Sequence, residues 1–436
     1  MIARLDSDSP QFPSALKSLG EFSEQDQIQV RSSVADILEE VRVRGDEALV
    51  ELTNRFDGQS VSDMTALILG QDRLLEAYES IDELVRDALI ESADRVREYH
   101  EHQKASMASG DEWRYTDNMG NHLGQNIRPM SRVGIYAPGG KASYPSTVIM
   151  TAIPAQVAGV NEMILCVPAP DGELNPTLLA AAHLCGIKQV FSLGGAQAIA
   201  AMAFGTETVP KVDKIVGPGN IYVATAKEMV FGKVGIDMIA GPSEVVIVAD
   251  DSADPKWVIQ DMFAQAEHDE MAQAIVISPS EKLLEVIAEQ LPIELAQQKR
   301  QSIISEAISR RGALIKVSDL NEAFEIVNKI APEHLQLAID APEAWLPNVQ
   351  HAGAVFLGVD TAEVVGDYTA GPSHVLPTSG TARFASPLGV YDFQTRTSII
   401  QCSREGAVKL SRAAAILASE EGLYAHAESA LARVKG

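Results

Sequence analysis

Apolar and polar positions follow two different rhythms along the chain. Up to about residue 102, apolar residues recur at helical spacing inside charged stretches, one ending at Asp57 and Gly58 and another running from Gln71 to His102. From Arg132 onward, short apolar runs rich in β-branched residues alternate with helical stretches. This alternation predicts βαβ units and therefore a parallel sheet.

The predicted strands fall into two blocks, so the sequence predicts two α/β modules. The first block has strands within 133–138, 163–170, 189–195 and 214–219, with helices over 176–184, 196–204 and 221–230. The second has strands within 244–250, 274–280, 313–317 and 352–358. After about Pro387 the chain starts extended and ends in helices. Ligands in open α/β sheets bind beyond the carboxyl ends of the strands, so the loops that follow strands are expected to carry the chemistry.

Composition narrows the class of protein. The 436 residues are more than one ordinary core holds, and 46% hydrophobic with 22% charged residues is typical of a globular chain. A formal net charge of -25 disfavours nucleic acid as a partner, although the acidity could serve solubility alone. Neither a signal peptide nor a membrane span is expected. Three sparse cysteines, Cys166, Cys185 and Cys402, favour reduced thiols and a cytoplasmic setting.

Three glycine-bearing loops follow strands of the first block. They are 136–140, which starts at Tyr136, 194–197, which ends at Gln197, and 217–220, which ends at Asn220. The last two open helices, and a helix N-terminus favours phosphate oxygens. None has G-x-G-x-x-G spacing, and each alone could be a tight turn without a ligand. Together they indicate a nucleotide site.

Two residues that can bind a metal lie near the end of a predicted helix in the second block. Asp254 is expected to cap this helix, and Pro255 suits its first position. Gln265 and His268 are three residues apart and would share one helical face. The alternative is a surface helix end with a solvated histidine.

Glu333 and His334 follow Pro332, where another helical piece is expected to start. A carboxylate and an imidazole that serve one site should sit at an element terminus, and together they are the usual parts for proton transfer near neutral pH. A capped surface helix is the alternative.

Polar residues also mark an irregular loop and the C-terminal helices. The segment 366–378 contains Asp367, Tyr368 and His374, and long irregular loops of this kind are more often functional than plain connectors. Glu421 and His426 lie near the start of the last predicted helix, where a histidine taken singly is usually a surface residue.

These segments, in their order along the chain, resemble histidinol dehydrogenases over essentially the whole length. The most specific match is IDMIAGPSEVVIVAD at 236–250, and the others are LGGAQAIAAMAFGT at 193–206, GPGN at 217–220, QAEH at 265–268, PEHL at 332–335 and GDYTAGPSHVLPT at 366–378. The resemblance implies an α/β fold with two incomplete Rossmann-like, aldehyde-dehydrogenase-like domains and small N- and C-terminal extensions, in an intertwined homodimer.

The same resemblance implies a division of the chain. It comprises an N-terminal extension over 1–29, a discontinuous zinc-binding and catalytic α/β domain over 30–135 and 243–388, an NAD-binding Rossmann-like domain over 136–242, and a helical tail over 389–436 that contributes to the site of the partner subunit.

The resemblance implies one zinc ion per subunit, bound by Gln265, His268, Asp367 and a His426 that comes from the neighbouring subunit. Nitrogen and oxygen donors suit a catalytic zinc, although they would also accept manganese or cobalt. Glu333 is implied as an acid–base residue together with His334. The NAD contacts implied are Tyr136, Gln197 and Asn220. The substrate contacts implied are Ser243, Gln265, His268, His334, Asp367, Tyr368, His374, Glu421 and His426.

The implied reaction is the oxidation of L-histidinol through L-histidinaldehyde to L-histidine, the last steps of histidine biosynthesis, with reduction of two NAD. In the hypothesis that follows, His334 removes the hydroxyl proton, Glu333 activates water for attack on the aldehyde, and Glu421 pairs with the cationic substrate.

Three alternatives stay open at this stage. The aldehyde could be held as a thiohemiacetal by Cys166 or Cys185, as in aldehyde dehydrogenases, although both resemble core cysteines. A relative could oxidise another alcohol, such as an anionic sulfonated propanediol. The chain could also be a zinc-dependent binding or structural protein that has lost catalysis, which the intact Glu333 and His334 pair opposes.

Overall fold

The computed structural model describes residues 2–19, 24–107, 112–139 and 143–435. The strands are β1 Ala3–Asp6, β2 Ile68–Leu69, β3 Glu112–Thr116, β4 His122–Pro129, β5 Arg132–Tyr136, β6 Glu162–Cys166, β7 Gln189–Phe191, β8 Lys214–Val216, β9 Gly235–Ile236, β10 Glu244–Ala249, β11 Gln273–Ser278, β12 Ala313–Lys316, β13 His334–Ala338, β14 Ala354–Leu357 and β15 Gln394–Gln401. The α-helices are α1 Phe12–Leu19, α2 Glu24–Arg44, α3 Asp46–Phe56, α4 Gln71–Ser80, α5 Glu83–Ser106, α6 Pro145–Ala158, α7 Pro176–Leu184, α8 Gly195–Phe204, α9 Ile221–Val230, α10 Pro255–Ala266, α11 Glu281–Leu295, α12 Gln301–Arg311, α13 Leu320–Ile330, α14 Pro342–Trp345, α15 Val364–Tyr368, α16 Arg404–Glu420 and α17 Tyr424–Lys435.

The first sheet has the strand order β2-β7-β6-β5-β8-β9 and is parallel except for the short edge strand β2. Helices α4 to α7 cover one face, and helices α2, α3, α8 and α9 cover the other. A parallel sheet covered on both faces needs apolar strands, and the central strands β5 and β6 are buried throughout after their charged first residues, Arg132 and Glu162.

Helices α2 to α5 pack on this first sheet, because they bury their apolar stripes against its helices and strands. The predicted division instead groups most of this region, as part of 30–135, with the second module. The region has almost no strands of its own, so its helices must bury their apolar faces on a sheet built elsewhere in the chain. The division into functional domains stays a prediction.

The second sheet has the order β1-β12-β11-β10-β13-β14 and is parallel throughout. Helices α10, α11 and α12 pack on one face, and α1 and α13 pack on the other. The edge strand β1 comes from the segment predicted as an N-terminal extension. The α/β class with two parallel-sheet modules is therefore confirmed.

A third sheet, of antiparallel strands β3, β4 and β15, was not predicted apart from the extended start of the C-terminal segment. Strand β3 is exposed along its whole length, so it lacks the apolar face that makes a strand visible in sequence. From β15 the chain continues into helices α16 and α17, which pack against each other as a hairpin that we call the C-terminal hairpin (404–435). Within the described ranges, every helix is too short or too polar to cross a lipid bilayer.

Candidate active site

A cluster of polar side chains lies at the amino ends of two neighbouring strands of the second sheet. His334 is the first residue of β13, and it pairs in register with Val245, near the start of β10. Ser243 immediately precedes β10. The expectation that the loops after the strands carry the chemistry is thus wrong for this module. The reason is that the segments returning from α10 and from β14 fold over the amino edge and bring their polar residues there.

The expectation that a helical piece starts at 331–334 is also wrong. Helix α13 ends at Ile330, Ala331 adopts the left-handed conformation with φ 55°, and β13 follows from His334. The strand forms because Leu335 and Leu337 alternate with polar residues and are buried in the core beside α13. His334 and Gln336 consequently face the opposite side of the sheet, where α10 lies.

Helix α10 presents its polar residues to this face of β13. As expected, Asp254 caps the helix, because its side chain accepts a hydrogen bond from the backbone N–H of Lys256. Gln336 Nε2 donates to Asp261 Oδ2 at 2.7 Å. Gln265 lies one turn after Asp261 on the same face of the helix and is fully buried, and both atoms of its amide group lack a hydrogen-bond partner among the described residues.

His268 lies beyond the end of α10 rather than on its face, since the helix ends at Ala266. The chain is still tied to the helix there, because the backbone N–H of His268 donates to the Gln265 carbonyl oxygen at 3.3 Å. His268 Nδ1 lies 3.4 Å from Ser243 Oγ. Burial lowers the pKa of His268, so the ring is neutral and can offer a nitrogen lone pair.

The hydrogen bonds of His334 fix its tautomer. Its Nδ1 lies 3.0 Å from the backbone carbonyl oxygen of Glu244, which can only accept, so Nδ1 carries the proton. Its Nε2 therefore holds the lone pair and lies 3.5 Å from Glu363 Oε1 and 3.8 Å from Asp367 Oδ1. Burial lowers the pKa of His334 to about 3, which keeps the ring neutral and leaves the lone pair of Nε2 unprotonated.

Three buried carboxyl groups surround this imidazole. Burial raises the pKa of Asp367 to about 7 and holds the pKa values of Glu333 and Glu363 well above their ordinary range. Within the described residues, no lysine or arginine forms an ion pair with any of the three. Ligand atoms of His334, Glu363 and Asp367 all lie within 4.8 Å of one another. A divalent cation would supply the positive charge that this cluster lacks.

Glu363 is a residue that the sequence reasoning missed. It is 1% exposed, and both of its carboxylate oxygens lack a hydrogen-bond partner among the described residues. Helix α15 has only five residues, which is too short for a helical periodicity of apolar residues to show in the sequence. The available signal was the position of Glu363 four residues before Asp367, because residues four apart share one face of a helix.

His374 completes the side of the cluster that faces the first module. Its Nδ1 donates to the backbone carbonyl oxygen of Asp367 at 3.0 Å, and its Nε2 lies 3.2 Å from the hydroxyl oxygen of Thr147, in the first turn of α6. The neighbouring Ser373 hydroxyl donates to the Met150 carbonyl oxygen at 3.0 Å. The cluster thus lies where the second module meets α6. Of the predicted site residues, it contains Ser243, Gln265, His268, Glu333, His334, Asp367 and His374. Tyr368 follows Asp367 at the end of α15, and its side chain is 54% exposed.

Glu421 and His426 are not part of this cluster in a single chain. Both are exposed on the C-terminal hairpin, Glu421 directly after α16 and His426 in the first turn of α17. Within the described residues, no hydrogen bond or ion pair links either side chain to the cluster.

The three predicted cofactor residues lie at the carboxyl ends of strands in the first sheet. Tyr136 is the last residue of β5, and its hydroxyl oxygen accepts a hydrogen bond from the backbone N–H of Gly195 at 3.1 Å. Gln197, in the first turn of α8, is 1% exposed and its Nε2 has no partner among the described residues. Asn220 caps α9 with its side-chain oxygen. Gly140, in the first of the three loops, is outside the described residues.

A buried ion pair holds the third loop in place. Lys227, on α9, pairs with Asp237, and both side chains are almost completely buried. The ammonium group of Lys227 also donates to the Gly217 carbonyl oxygen at 2.9 Å, while Asp237 Oδ2 accepts from the Gly217 N–H at 2.7 Å. The pair therefore fixes both polar groups of the turn that precedes Asn220.

The thiol alternative has no support in the structure. Cys166 and Cys185 are both fully buried, and burial raises the pKa of both thiols, that of Cys185 to about 12. A buried thiol with a raised pKa is a poor nucleophile. Cys402 is exposed but lies on the segment that leads to the C-terminal hairpin.

Two parallel-sheet modules, one with glycine turns at its carboxyl edge and one with a carboxylate–imidazole cluster, define the class of two-module α/β oxidoreductases. The sequence model of the histidinol dehydrogenase family matches residues 21–434. A histidinol dehydrogenase of Pseudomonas syringae pv. tomato is 55% identical over 433 residues, which covers 99% of this chain and 96% of the relative. The chain belongs to the histidinol dehydrogenase family.

Solved structures agree with this assignment. The crystal structure of histidinol dehydrogenase from Elizabethkingia anophelis superposes with a TM-score of 0.90 at 33% identity and covers 100% of this chain and 98% of that one. A betaine aldehyde dehydrogenase of Staphylococcus aureus shares the architecture alone, with a TM-score of 0.50 at 11% identity over 89% of this chain and 85% of that one. The aldehyde-dehydrogenase-like fold is therefore confirmed.

Proposed function

We propose that this protein oxidises L-histidinol through L-histidinaldehyde to L-histidine, with NAD as the hydride acceptor and one zinc ion per subunit. Membership of the histidinol dehydrogenase family supports the substrate. The observation that carries the chemistry is the buried cluster around His334, in which a neutral imidazole faces carboxyl groups that no lysine or arginine neutralises within the described residues.

The residues present fit a zinc ion. Gln265 and Glu363 are buried with unpartnered oxygen atoms, and His268 and Asp367 offer further nitrogen and oxygen donors. Gln265, His268 and Asp367 would hold the metal, and His426 of a second copy would complete the set. When bound, zinc supplies Lewis-acid polarisation and a template for a substrate that carries an imidazole and an amine.

One peptide unit positions both proposed acid–base residues. The backbone N–H of Glu244 donates to Glu333 Oε2 at 2.9 Å, and the carbonyl oxygen of Glu244 accepts from His334 Nδ1 at 3.0 Å. The second bond leaves His334 Nε2 free to take the proton of the substrate hydroxyl. The first partly offsets the effect of burial on the pKa of Glu333, and a bound divalent cation would favour the ionised form further. The ionised form is the one that would accept a proton from water attacking the aldehyde.

The charge of the cluster favours a cationic alcohol over a sulfonated one. Glu333, Glu363 and Asp367 are buried close together around His334. A bound divalent cation would lower the pKa values of these carboxyl groups and leave them ionised. Bringing a sulfonate beside the ionised groups would add a like charge in a region of low dielectric, whereas an amine would be attracted. The proposed partner is therefore a cationic small molecule, and Glu421 of a second copy would add to this preference.

We propose that the protein acts as a homodimer in which the C-terminal hairpin reaches the site of the other subunit. Several large apolar side chains of the hairpin are exposed, among them Ile416, Leu417 and Tyr424. Exposed apolar surface of this kind is typical of an interface. Docking of the hairpin on a second copy would bury this apolar surface. It would also bring His426 and Glu421 to the cluster around His334 of the other subunit.

Mixing two inactive variants tests this arrangement. His426→Ala and His334→Asn homodimers are both expected to be nearly inactive. Denaturing and refolding them together in equal amounts should restore about a quarter of the wild-type activity, because about half of the dimers are mixed and each mixed dimer has one site with both histidines. Each variant refolded alone is the control. Failure of the mixture to exceed the controls, with mixed dimers present by mass spectrometry, would contradict the shared site.

A direct assay tests the proposed substrate. The zinc-loaded protein is expected to form NADH with L-histidinol, two per molecule consumed, and to release L-histidine. It should form NADH at least about 100-fold more slowly with 2,3-dihydroxypropane-1-sulfonate, since a like charge beside buried carboxylates costs several kcal/mol. Absorbance at the NADH band and chromatography of the product give both quantities. The reverse preference would identify the sulfonated alcohol as the substrate, and no turnover of either would indicate a protein without catalysis.

We also propose that the protein works in the cytoplasm. Cys166, Cys185 and Cys402 form no disulfide, which suits a reducing compartment.

A further inference from the structure

Asp57 is a residue of the N-terminal helices that reaches the carboxyl edge of the first sheet. It directly follows α3, and its backbone carbonyl oxygen accepts from the N–H of Asp171, in the loop after β6. Its Oδ2 atom lies 3.3 Å from the point where a β-carbon on Gly194 would stand. Asp57 is also close enough to Tyr136 to raise the pKa of that phenol. It therefore stands among the loops that follow β5, β6 and β7.

One oxygen atom of the Asp57 carboxylate, Oδ2, is buried without a hydrogen-bond partner among the described residues. Burial raises the pKa of this carboxyl group to about 6, and no lysine or arginine in the described part of the chain offsets that effect. An unsatisfied buried acceptor is destabilising, and native proteins keep few of them without a functional reason.

A second unpartnered polar atom lies at the same turn. Gln197 Nε2, on the first turn of α8, is buried and donates to nothing among the described residues. The backbone N–H of Gly195, which lies between Gly194 and Gln197 in the chain, already donates to the Tyr136 hydroxyl oxygen. The turn that opens α8 thus has both an unused donor and an unused acceptor beside it. A ligand that fits there carries hydroxyl groups as well as an acceptor.

The position of Asp57 decides which part of a dinucleotide it would meet. The reacting nicotinamide has to lie at the cluster around His334, in the second module. Asp57 instead packs against Gly194, Tyr136 and Asp171, all in the first module. It therefore lies on the side of the adenosine, whose ribose offers two hydroxyl donors in NAD and a 2′-phosphate in NADP.

We propose that Asp57 accepts a hydrogen bond from the adenosine ribose and makes the enzyme select NAD over NADP. This inference rests on the proposed use of NAD. A carboxylate accepts a hydrogen bond from the ribose hydroxyl of NAD and repels the negatively charged 2′-phosphate of NADP. One residue therefore both strengthens the binding of NAD and weakens the binding of NADP.

Binding measurements on the zinc-loaded enzyme without substrate test the proposal. Calorimetry would compare NAD, NADP, ADP-ribose and 2′-phospho-ADP-ribose on the wild type and on Asp57→Asn and Asp57→Ser. Asp171→Asn is the matched control, because this neighbouring aspartate is exposed. Thermal unfolding of each variant would confirm that it folds. Asp57→Asn is expected to bind NAD and ADP-ribose about 10-fold more weakly and the phosphorylated pair no more weakly than wild type, whereas Asp171→Asn leaves all four unchanged.

The outcomes separate this inference from the proposed function. Equal weakening of all four ligands, or no change in any, would show that Asp57 has a structural role or none and would overturn the inference alone. If one Asp57 variant fails to fold, the other decides. If the wild type binds neither NAD nor ADP-ribose, the proposed use of NAD fails and this inference fails with it.

Discussion

Replacing His334 by asparagine is expected to lower kcat for L-histidinol oxidation by about 10²–10⁴-fold, with the zinc content unchanged. The asparagine amide can still donate to the Glu244 carbonyl oxygen, as Nδ1 does at 3.0 Å, so the surroundings of β13 are kept. What is lost is the lone pair of Nε2, which is the proposed proton acceptor. Loss of an interaction that acts in the transition state lowers kcat and kcat/KM together.

Steady-state kinetics and metal analysis on the same preparation check this result. His102→Asn is the matched control, since this exposed histidine on α5 lies in no proposed site, and it should behave as wild type. Full activity of the His334 variant would remove the residue from its assigned role. Loss of zinc from the variant would instead make His334 a metal ligand, as its closeness to Glu363 and Asp367 allows.

Removing the metal is expected to reduce the rate of L-histidinol oxidation by at least about 10³-fold, and adding zinc back should restore it. Lewis-acid stabilisation by a bound ion is worth several kcal/mol, and each 1.4 kcal/mol is tenfold in rate. Gln265→Ala and Asp367→Ala should each weaken zinc binding by more than about 100-fold, the upper range for residues that only support a ligand.

Competition with a chromogenic chelator measures the zinc affinity without relying on activity. Glu363→Gln is the informative comparison, because Glu363 lies in the cluster but outside the proposed ligand set. It should weaken binding less than Asp367→Ala does. If instead Glu363→Gln releases the metal while Gln265→Ala retains it, the ligand set is His334, Glu363 and Asp367, and the proposed set is incorrect.

Local features of the fold could be predicted from the sequence. The predicted helices over 176–184 and 221–230 have these bounds in the structure, and Asp254 caps α10 as expected. Each of these depends on residues within one or two turns, such as a capping side chain or a proline at a first helical position. Eight of the twelve strands that the two modules have within the described residues were predicted, because strands covered on both faces are rich in apolar residues. The short strands β1, β2 and β9 were not predicted, and β13 was expected to be helical.

The residues of the candidate site could be predicted from the sequence only in part. The family resemblance supplied most of the residues that the structure gathers around His334, but it supplied neither Glu363 nor Asp57. Both are single acidic residues at helix boundaries, in stretches whose periodicity says nothing about them. Both stand out because each has a buried carboxylate oxygen without a hydrogen-bond partner among the described residues. Burial depends on how the whole chain packs, so no local sequence pattern indicates it.

The sequence by itself determined that this chain forms two parallel-sheet modules with polar residues and glycines at strand ends, because periodicity and capping act over a few neighbouring residues. Only the tertiary structure decided that the second module uses its amino edge, that helices α2 to α5 cover the first sheet, and that Asp57 reaches the turn at Gly194. These arrangements join residues that lie far apart along the chain, such as Val245 and His334 or Asp57 and Gly194. They follow from which apolar faces can be buried together rather than from any local pattern.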